Sequence, residues 1–390
     1  MPGPALELAS IFRQHGPAYR EAHELPLHQL RLMRAIENCR TPAMGGVVDW
    51  CDHCQYTHIQ YRSCRNRHCP KCQGLARARW LEQRQAELLP VEYFHVVFTL
   101  PEALAAIAFY NKTVVYDLLF QATAQTLLEI AADPERWGVR IGFFAVLHSW
   151  GQNLHFHPHL HCVVPGGGLS TDGRQWIRAR RRFLLPVKVL SARFRTWMLA
   201  ALQRAHHTGK LQFFGPLAGL SDAARFAAHL APLKKTKWVV YAKAPMNGPQ
   251  QVLEYLGRYT HRVAISNSRL RSLDGGKVTF QWKDYRDGDS KQMTLEAEEF
   301  IRRFLTHSLP GGFQRIRYYG LLANCHRAAT LEICRRLLAS PVANLLPLPA
   351  DYREFYLALA GVDLRLCPRC RVPLVRLAWP CLPVRSPDTS

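Results

Sequence analysis

The period of the hydrophobic pattern changes several times along the chain, and each change predicts an element. From Leu25 to Asn38 the apolar positions Leu27, Leu30, Leu32, Met33 and Ile36 recur at helical spacing. Gly74 to Leu89 reads as a charged helix closed near Pro90. Tyr93 to Leu100 is an apolar, β-prone run stopped by Pro101. A long helix follows over about Glu102 to Ala132, then a strand over Ile141 to Ser149, then a histidine-rich strand ending at Val164. Pro165-Gly166-Gly167-Gly168 is expected to terminate that strand. Further on, the pattern predicts a helix over Ser191 to His207, a strand over Trp238 to Lys243 and a helix after Pro249. Strands at Arg262 to Ser266 and Lys277 to Lys283 come next, with a helix around Leu295 to His307. Strands and helices mix with few strict βα repeats, so the expected fold class is α+β, a sheet with helices on one face.

Cysteine placement divides this pattern. Six of the 12 cysteines fall between Cys39 and Cys72, which marks a small module at 25–89 after an N-terminal extension at 1–24. The mixed α/β region spans 90–330, and 331–390 is a C-terminal tail, part helical, with Cys367, Cys370 and a loose Pro-rich end. The most apolar stretch, Val96 to Tyr110, is interrupted by Pro101 and Glu102 and falls short of the roughly 20 residues of a membrane span. Met1 to Gly16 lacks a basic segment followed by an apolar one, so no secretory signal is expected. The expectation is a soluble intracellular protein, and in a reducing compartment clustered thiols are metal ligands rather than disulfides. Charge narrows the partner. Lys plus Arg number 51 against 29 Asp plus Glu, a formal charge of +22. Such an excess, clustered between aromatics, favours a polyanion whose counterions are released on binding.

Cys51-x-x-Cys54 and Cys69-x-x-Cys72 are two CxxC knuckles fourteen residues apart, the spacing of a structural Zn²⁺ site. Cys64 and His68 are alternative ligands in the same segment, and Cys39, Cys64 and His68 offer the makings of a second site. For Cys367 and Cys370 no further ligands are evident beyond nearby Cys381. Arg65, Arg67 and Lys71, with Arg62 and Asn66, place donors on a metal-held loop suited to phosphate or base-edge contacts.

His155-Phe156-His157-Pro158-His159-Leu160-His161 puts four imidazoles on one face if extended, with Leu160, Cys162 and Val164 on the other. Two imidazoles two residues apart can hold one divalent cation and leave positions open for oxygen ligands. His159 and His161 are the expected pair, because Pro158 removes a ladder donor and regular pairing starts after it. Gln152 is the candidate third ligand. Downstream, Tyr255 and Tyr259 lie four apart on a predicted helix, so their phenols share a face. A phenol with a pKa near 10 is a poor nucleophile unless aimed at a phosphodiester whose charge is neutralised. Arg258 and Arg262 supply guanidiniums for that, and His261 is available for proton transfer.

HPHLHCVVPGGGLS and YLGRYTHRVAISN together resemble the two-tyrosine HUH transposases of the insertion-sequence-91 family. CRTPAMGG, CDHC and SCRNRHCPKCQ look like the zinc-binding domain preceding their catalytic domain, and RYYGLLANCHR near Tyr319 fits the same family. The match runs from roughly 25 to 330 in the family's order. The resemblance implies an HUH endonuclease fold, an antiparallel sheet with the histidines on a central strand and the tyrosines on an adjacent helix. It implies Mg²⁺ or Mn²⁺ on His159 and His161, tyrosine attack on single-stranded DNA ends, a 5′-phosphotyrosine and a free 3′-hydroxyl. The second tyrosine would serve the other strand-transfer step of rolling-circle transposition in a bacterial cytoplasm. A replication initiator or relaxase would share this site. A non-catalytic zinc-finger regulator would explain the cysteines and the charge but leaves the histidine strand without a purpose.

Overall fold

The computed structural model describes residues 6–180, 184–246, 251–252, 257, 263–284, 287–340 and 348–379. They group into two compact units, 84–260 with 309–344, and 1–83 with 261–308 and 345–390. Each unit is discontinuous in the chain, unlike the contiguous segments 25–89, 90–330 and 331–390 read from the sequence. Pairing between residues far apart in the chain is the reason, as described below.

The first unit is built on a five-stranded antiparallel sheet. Its order is Ile316–Gly320, Gly142–Trp150, Phe156–Pro165, Tyr93–Thr99 and Val240–Met246, which puts the histidine strand at the centre. Alternation along the strands sends Leu160, Cys162, Val164, Val96, Phe98, Ala145 and Leu147 to one face. All are buried, in one core with Leu119, Phe120 and Leu127 of the helix Lys112–Ala132 and Phe194, Met198 and Leu202 of the helix Val187–His207. Burial of a side chain that size contributes about 1.5–3 kcal/mol, so this face fixes the register. A one-residue slip would turn the histidines into the core.

One expectation in this unit is corrected. The single helix predicted over Glu102 to Ala132 is broken at Asn111, between Ala105–Tyr110 and Lys112–Ala132. The Asn111 side chain accepts from the Gln212 amide at 2.7 Å and donates to the Gln212 carbonyl at 2.8 Å, so a distant loop is held at the break. The histidine strand ends at Pro165, where the Pro-Gly run is expected to stop it, and a separate strand starts directly after it. Gly167–Ser170 forms a strand between Val139–Arg140 and Trp176–Arg178. A Cβ at Gly167 would lie 2.4 Å from the Trp176 ring, so the glycine makes room for the indole.

In the second unit the helix Leu8–Ala22 buries Leu8, Ile11 and Phe12, and Phe12 packs edge-on at 5.4 Å against Phe304 of the helix Ala297–Thr306. The N-terminal segment is therefore part of the packed structure. The sheet Leu270–Asp274, Lys277–Lys283, Ser290–Glu296 includes the predicted Lys277–Lys283 strand. The strand expected at Arg262 to Ser266 is not found over its described part, where Val263, Ala264 and Ile265 are buried without a ladder and lead into a 3₁₀ turn at Asn267–Arg269. The tail also departs from expectation. Val375–Trp379 pairs antiparallel with Gly46–Trp50, which in turn pairs with Thr57–Tyr61. Arg376 clamps Asp49 at 2.5 and 2.7 Å, and Asp49 is only 2% exposed. Among the described residues no helix is long and apolar enough to cross a membrane.

Candidate functional site

The face of the five-stranded sheet away from the helices carries the imidazoles. His159 stands opposite His148 on one neighbouring strand and Thr99 on the other, while His161 stands opposite Val146 and Val97. The register thus brings in a histidine the sequence reading passed over. One ring nitrogen each from His148, His159 and His161 lies within 4.8 Å of the others, and His148 and His161 are buried. His148 already stood inside the predicted strand Ile141 to Ser149, but only strand pairing shows that it faces His159. Gln152 sits in the turn joining the two strands, where Gly151 and Leu154 close the connection by backbone hydrogen bonds.

Hydrogen bonds fix how these rings present their lone pairs. Nδ1 of His159 donates to the carbonyl of His157 at 2.6 Å, so in the neutral ring Nε2 carries the lone pair. That Nε2 is 3.0 Å from Nε2 of His161, whose Nδ1 is 2.9 Å from Nε2 of His95. Burial, with smaller effects from Lys243 and His159, pushes the His95 pKa down to about 3. His95 is therefore neutral at physiological pH, and in the tautomer whose Nε2 accepts from Nδ1 of His161 it leaves the His161 Nε2 lone pair facing that of His159. Two lone pairs at that separation need a proton or a cation between them. A cation with ligand distances near 2.1 Å puts neighbouring ligands roughly 3.0–3.4 Å apart, so the donor set fits a divalent ion. The edge strand adds exposed Tyr241 and Lys243 on this same face, opposite Val97 and His95. An aromatic surface and a cation suit single-stranded nucleic acid. His155 is exposed and His157 half-buried.

The cysteines assemble differently from the expected four. Cys69 and Cys72 join Cys39 and Cys64, whereas Cys51 and Cys54 join Cys367 and Cys370. Sulfur separations are 3.4 Å for Cys39–Cys72, 3.6 Å for Cys64–Cys72, 3.4 Å for Cys51–Cys370 and 3.5 Å for Cys54–Cys367. Zn–S bonds of about 2.3 Å in a tetrahedron give sulfur separations of roughly 3.8 Å, so both sets fit zinc. In the first set the neighbouring Cys64 and Cys69 thiols drive Cys72 far below the ordinary thiol range, the thiolate form a metal needs. His68 is buried beside the first set but is not one of its four members. Of the loop cations, Arg65 is exposed at a positive φ of 52°, and burial lowers the Arg67 pKa. Lys71 is engaged by Glu7 at 2.5 Å. Tyr255, Tyr259, Arg258, Arg262 and His261 lie outside the described residues. The RYYG motif is the edge strand Ile316–Gly320, where Tyr318 accepts from Arg84 at 2.8 Å and burial pushes Tyr319 up to about 12.

Two families match this chain. A family described as "Putative transposase" matches residues 142–329, and one described as "Transposase zinc-binding domain" matches 11–100. The "Putative transposase y4qJ" of Sinorhizobium fredii is 58% identical over 368 residues, 93% of this chain and 92% of the relative. The transposase for insertion sequence element IS801 of Pseudomonas savastanoi pv. phaseolicola is 29% identical over 289 residues, 73% of this chain and 68% of the relative. Among solved structures, the metal-free conjugative relaxase TrwC in complex with OriT DNA is 13% identical, covering 64% of this chain and 74% of that one. Its TM-score of 0.24 is too low for the likeness to carry a functional reading.

Proposed function

The chain belongs to the IS91 family of transposases, and from that premise we propose that it cleaves and transfers single DNA strands by tyrosine attack at the histidine face. The observation that carries the reading is the trio His148, His159 and His161, whose ring nitrogens converge on a gap of metal size. These three residues would hold Mg²⁺ or Mn²⁺, with Gln152 a further donor from the adjoining turn. When bound, the ion supplies positive charge to a non-bridging oxygen of the scissile phosphate.

The chain's own groups do the rest. His95 and the His157 carbonyl hold two imidazoles in the tautomer that points Nε2 at the site. The phenol of Tyr255 or Tyr259 gives up its proton, with His261 available to carry it to the leaving oxygen. The phenolic oxygen attacks phosphorus, forming a P–O bond and a 5′-phosphotyrosine. The bond to the 3′ oxygen breaks, and that oxygen leaves as a free 3′-hydroxyl after taking a proton. Arg258 and Arg262 balance the charge that develops, and the second tyrosine serves the other strand-transfer step. Tyr241 and Lys243 line the approach for unpaired bases and phosphates. Arg65 and Arg67, on the zinc-held loop, supply further contacts to DNA phosphates.

Cleavage of single-stranded oligonucleotides carrying the element ends tests the reading. Removal of the weakly held divalent ion, with zinc retained, is expected to abolish cleavage, and Mn²⁺ to restore it. The doubly substituted His159→Ala/His161→Ala protein should lose at least about 10²-fold in rate, the scale of removing one electrostatic contact to a transition state. Undiminished cleavage in that variant would remove the histidine face from the chemistry.

A further inference from the structure

The family's zinc-binding segment ends at residue 100, yet two of the sulfurs gathered at Cys51 and Cys54 come from positions 367 and 370. The two CxxC turns repeat one backbone geometry. Cys51 donates its amide to the Tyr56 carbonyl and its carbonyl accepts from Gln55. Cys367 donates to Val372 and its carbonyl accepts from Arg371. The residue four places after each leading cysteine takes a positive φ, 58° at Gln55 and 63° at Arg371. Such a left-handed turn folds the chain back after the second thiol and aims both sulfurs and nearby amides at one point.

Each turn then feeds a strand of the same sheet. Gly46–Trp50 enters the first turn and Thr57–Tyr61 leaves it, while Val375–Trp379 leaves the second and pairs with Gly46–Trp50 over five residues. The Asp49–Arg376 pair locks that register, and Arg369 lies over the Tyr56 ring at 5.3 Å, joining the two turns from outside. Cys51 and Cys367 are fully buried. Four buried or half-buried sulfurs at zinc spacing, with no oxygen or nitrogen among them, leave no open position for substrate.

We propose that Cys51, Cys54, Cys367 and Cys370 form a second, structural zinc site that closes a zinc ribbon from the two ends of the chain. The first cluster, within 39–72, is complete early in the sequence; the second closes only when residue 370 is present. Each thiol gives up its proton on binding, so the site assembles with release of protons and without redox chemistry. The proposal is independent of the tyrosine chemistry.

Zinc stoichiometry by native mass spectrometry, combined with mapping of iodoacetamide-reactive cysteines, tests it on the full chain. After dialysis against a weak chelator that clears the imidazole site, two zinc ions per chain are expected. As zinc is then withdrawn stepwise, Cys51, Cys54, Cys367 and Cys370 should become reactive together. In Cys367→Ser/Cys370→Ser one zinc should remain, with Cys51 and Cys54 newly reactive and Cys39, Cys64, Cys69 and Cys72 protected. A wild-type chain holding one zinc, or reaction of Cys367 and Cys370 while Cys51 and Cys54 stay protected, would overturn the proposal, and neither result depends on the variant folding.

Discussion

Single side chains decide what the histidine face can do. His159 and His161 alone could be surface imidazoles; the His157 carbonyl fixes the His159 tautomer with Nε2 at the site, and His95 holds the His161 ring in place through its Nδ1. Outer partners of this kind typically govern metal affinity by 10–100-fold. His95→Ala should therefore weaken Mn²⁺ binding by about that factor in isothermal titration calorimetry, although His95 is not a ligand. Unchanged affinity would mean that the 2.9 Å contact orients nothing. The sequence shows the alternation of His155 to His161 and hence the face. It does not show His95 or His148, because their relation to His161 and His159 exists only across strands.

At the scale of elements, long runs with one strong period were legible and special backbone positions were not. The strands near Tyr93, Ile141 and Lys277 and the helix ending at His207 appear close to where the pattern puts them. Gly167 reads as a terminator in a linear sequence, whereas in the sheet it vacates space for Trp176. Val263 to Ile265 has the composition of a strand but is buried by packing without a ladder. The edge strand Ile316–Gly320 shows the same limit. Gly320 has a φ of +56°, and a Cβ there would stand 2.0 Å from the Ile141 carbonyl oxygen. Gly320→Ala should thus cost at least about 2 kcal/mol in urea unfolding, from backbone strain plus the clash. A shift in stability below about 0.5 kcal/mol, the usual range for an inert surface change, would contradict that placement.

For the whole molecule, the chain order conceals both units. The described residues 309–340 return to the first unit, where Ile316–Gly320 joins its sheet, and 348–379 return to the cysteine-rich unit. Cys367 and Cys370 had no visible partners in the sequence because their partners lie more than 310 positions away, an |i−j| of 313 for Cys54–Cys367. Hydrophobic period carries no information about such closure; the shared spacing of the CxxC pairs was the one available signal. The charge of +22 and the family membership place DNA opposite this assembly. The central claim is that a phenol of this chain becomes bonded to DNA phosphorus. Incubating the protein with a single-stranded element end and Mn²⁺, then digesting and sequencing by mass spectrometry, tests it most directly. The expected result is a nucleotide 5′-phosphate attached to Tyr255 or Tyr259 and no adduct in Tyr255→Phe/Tyr259→Phe. An adduct that survives the double substitution, or cleavage that leaves every tyrosine unmodified, would contradict it.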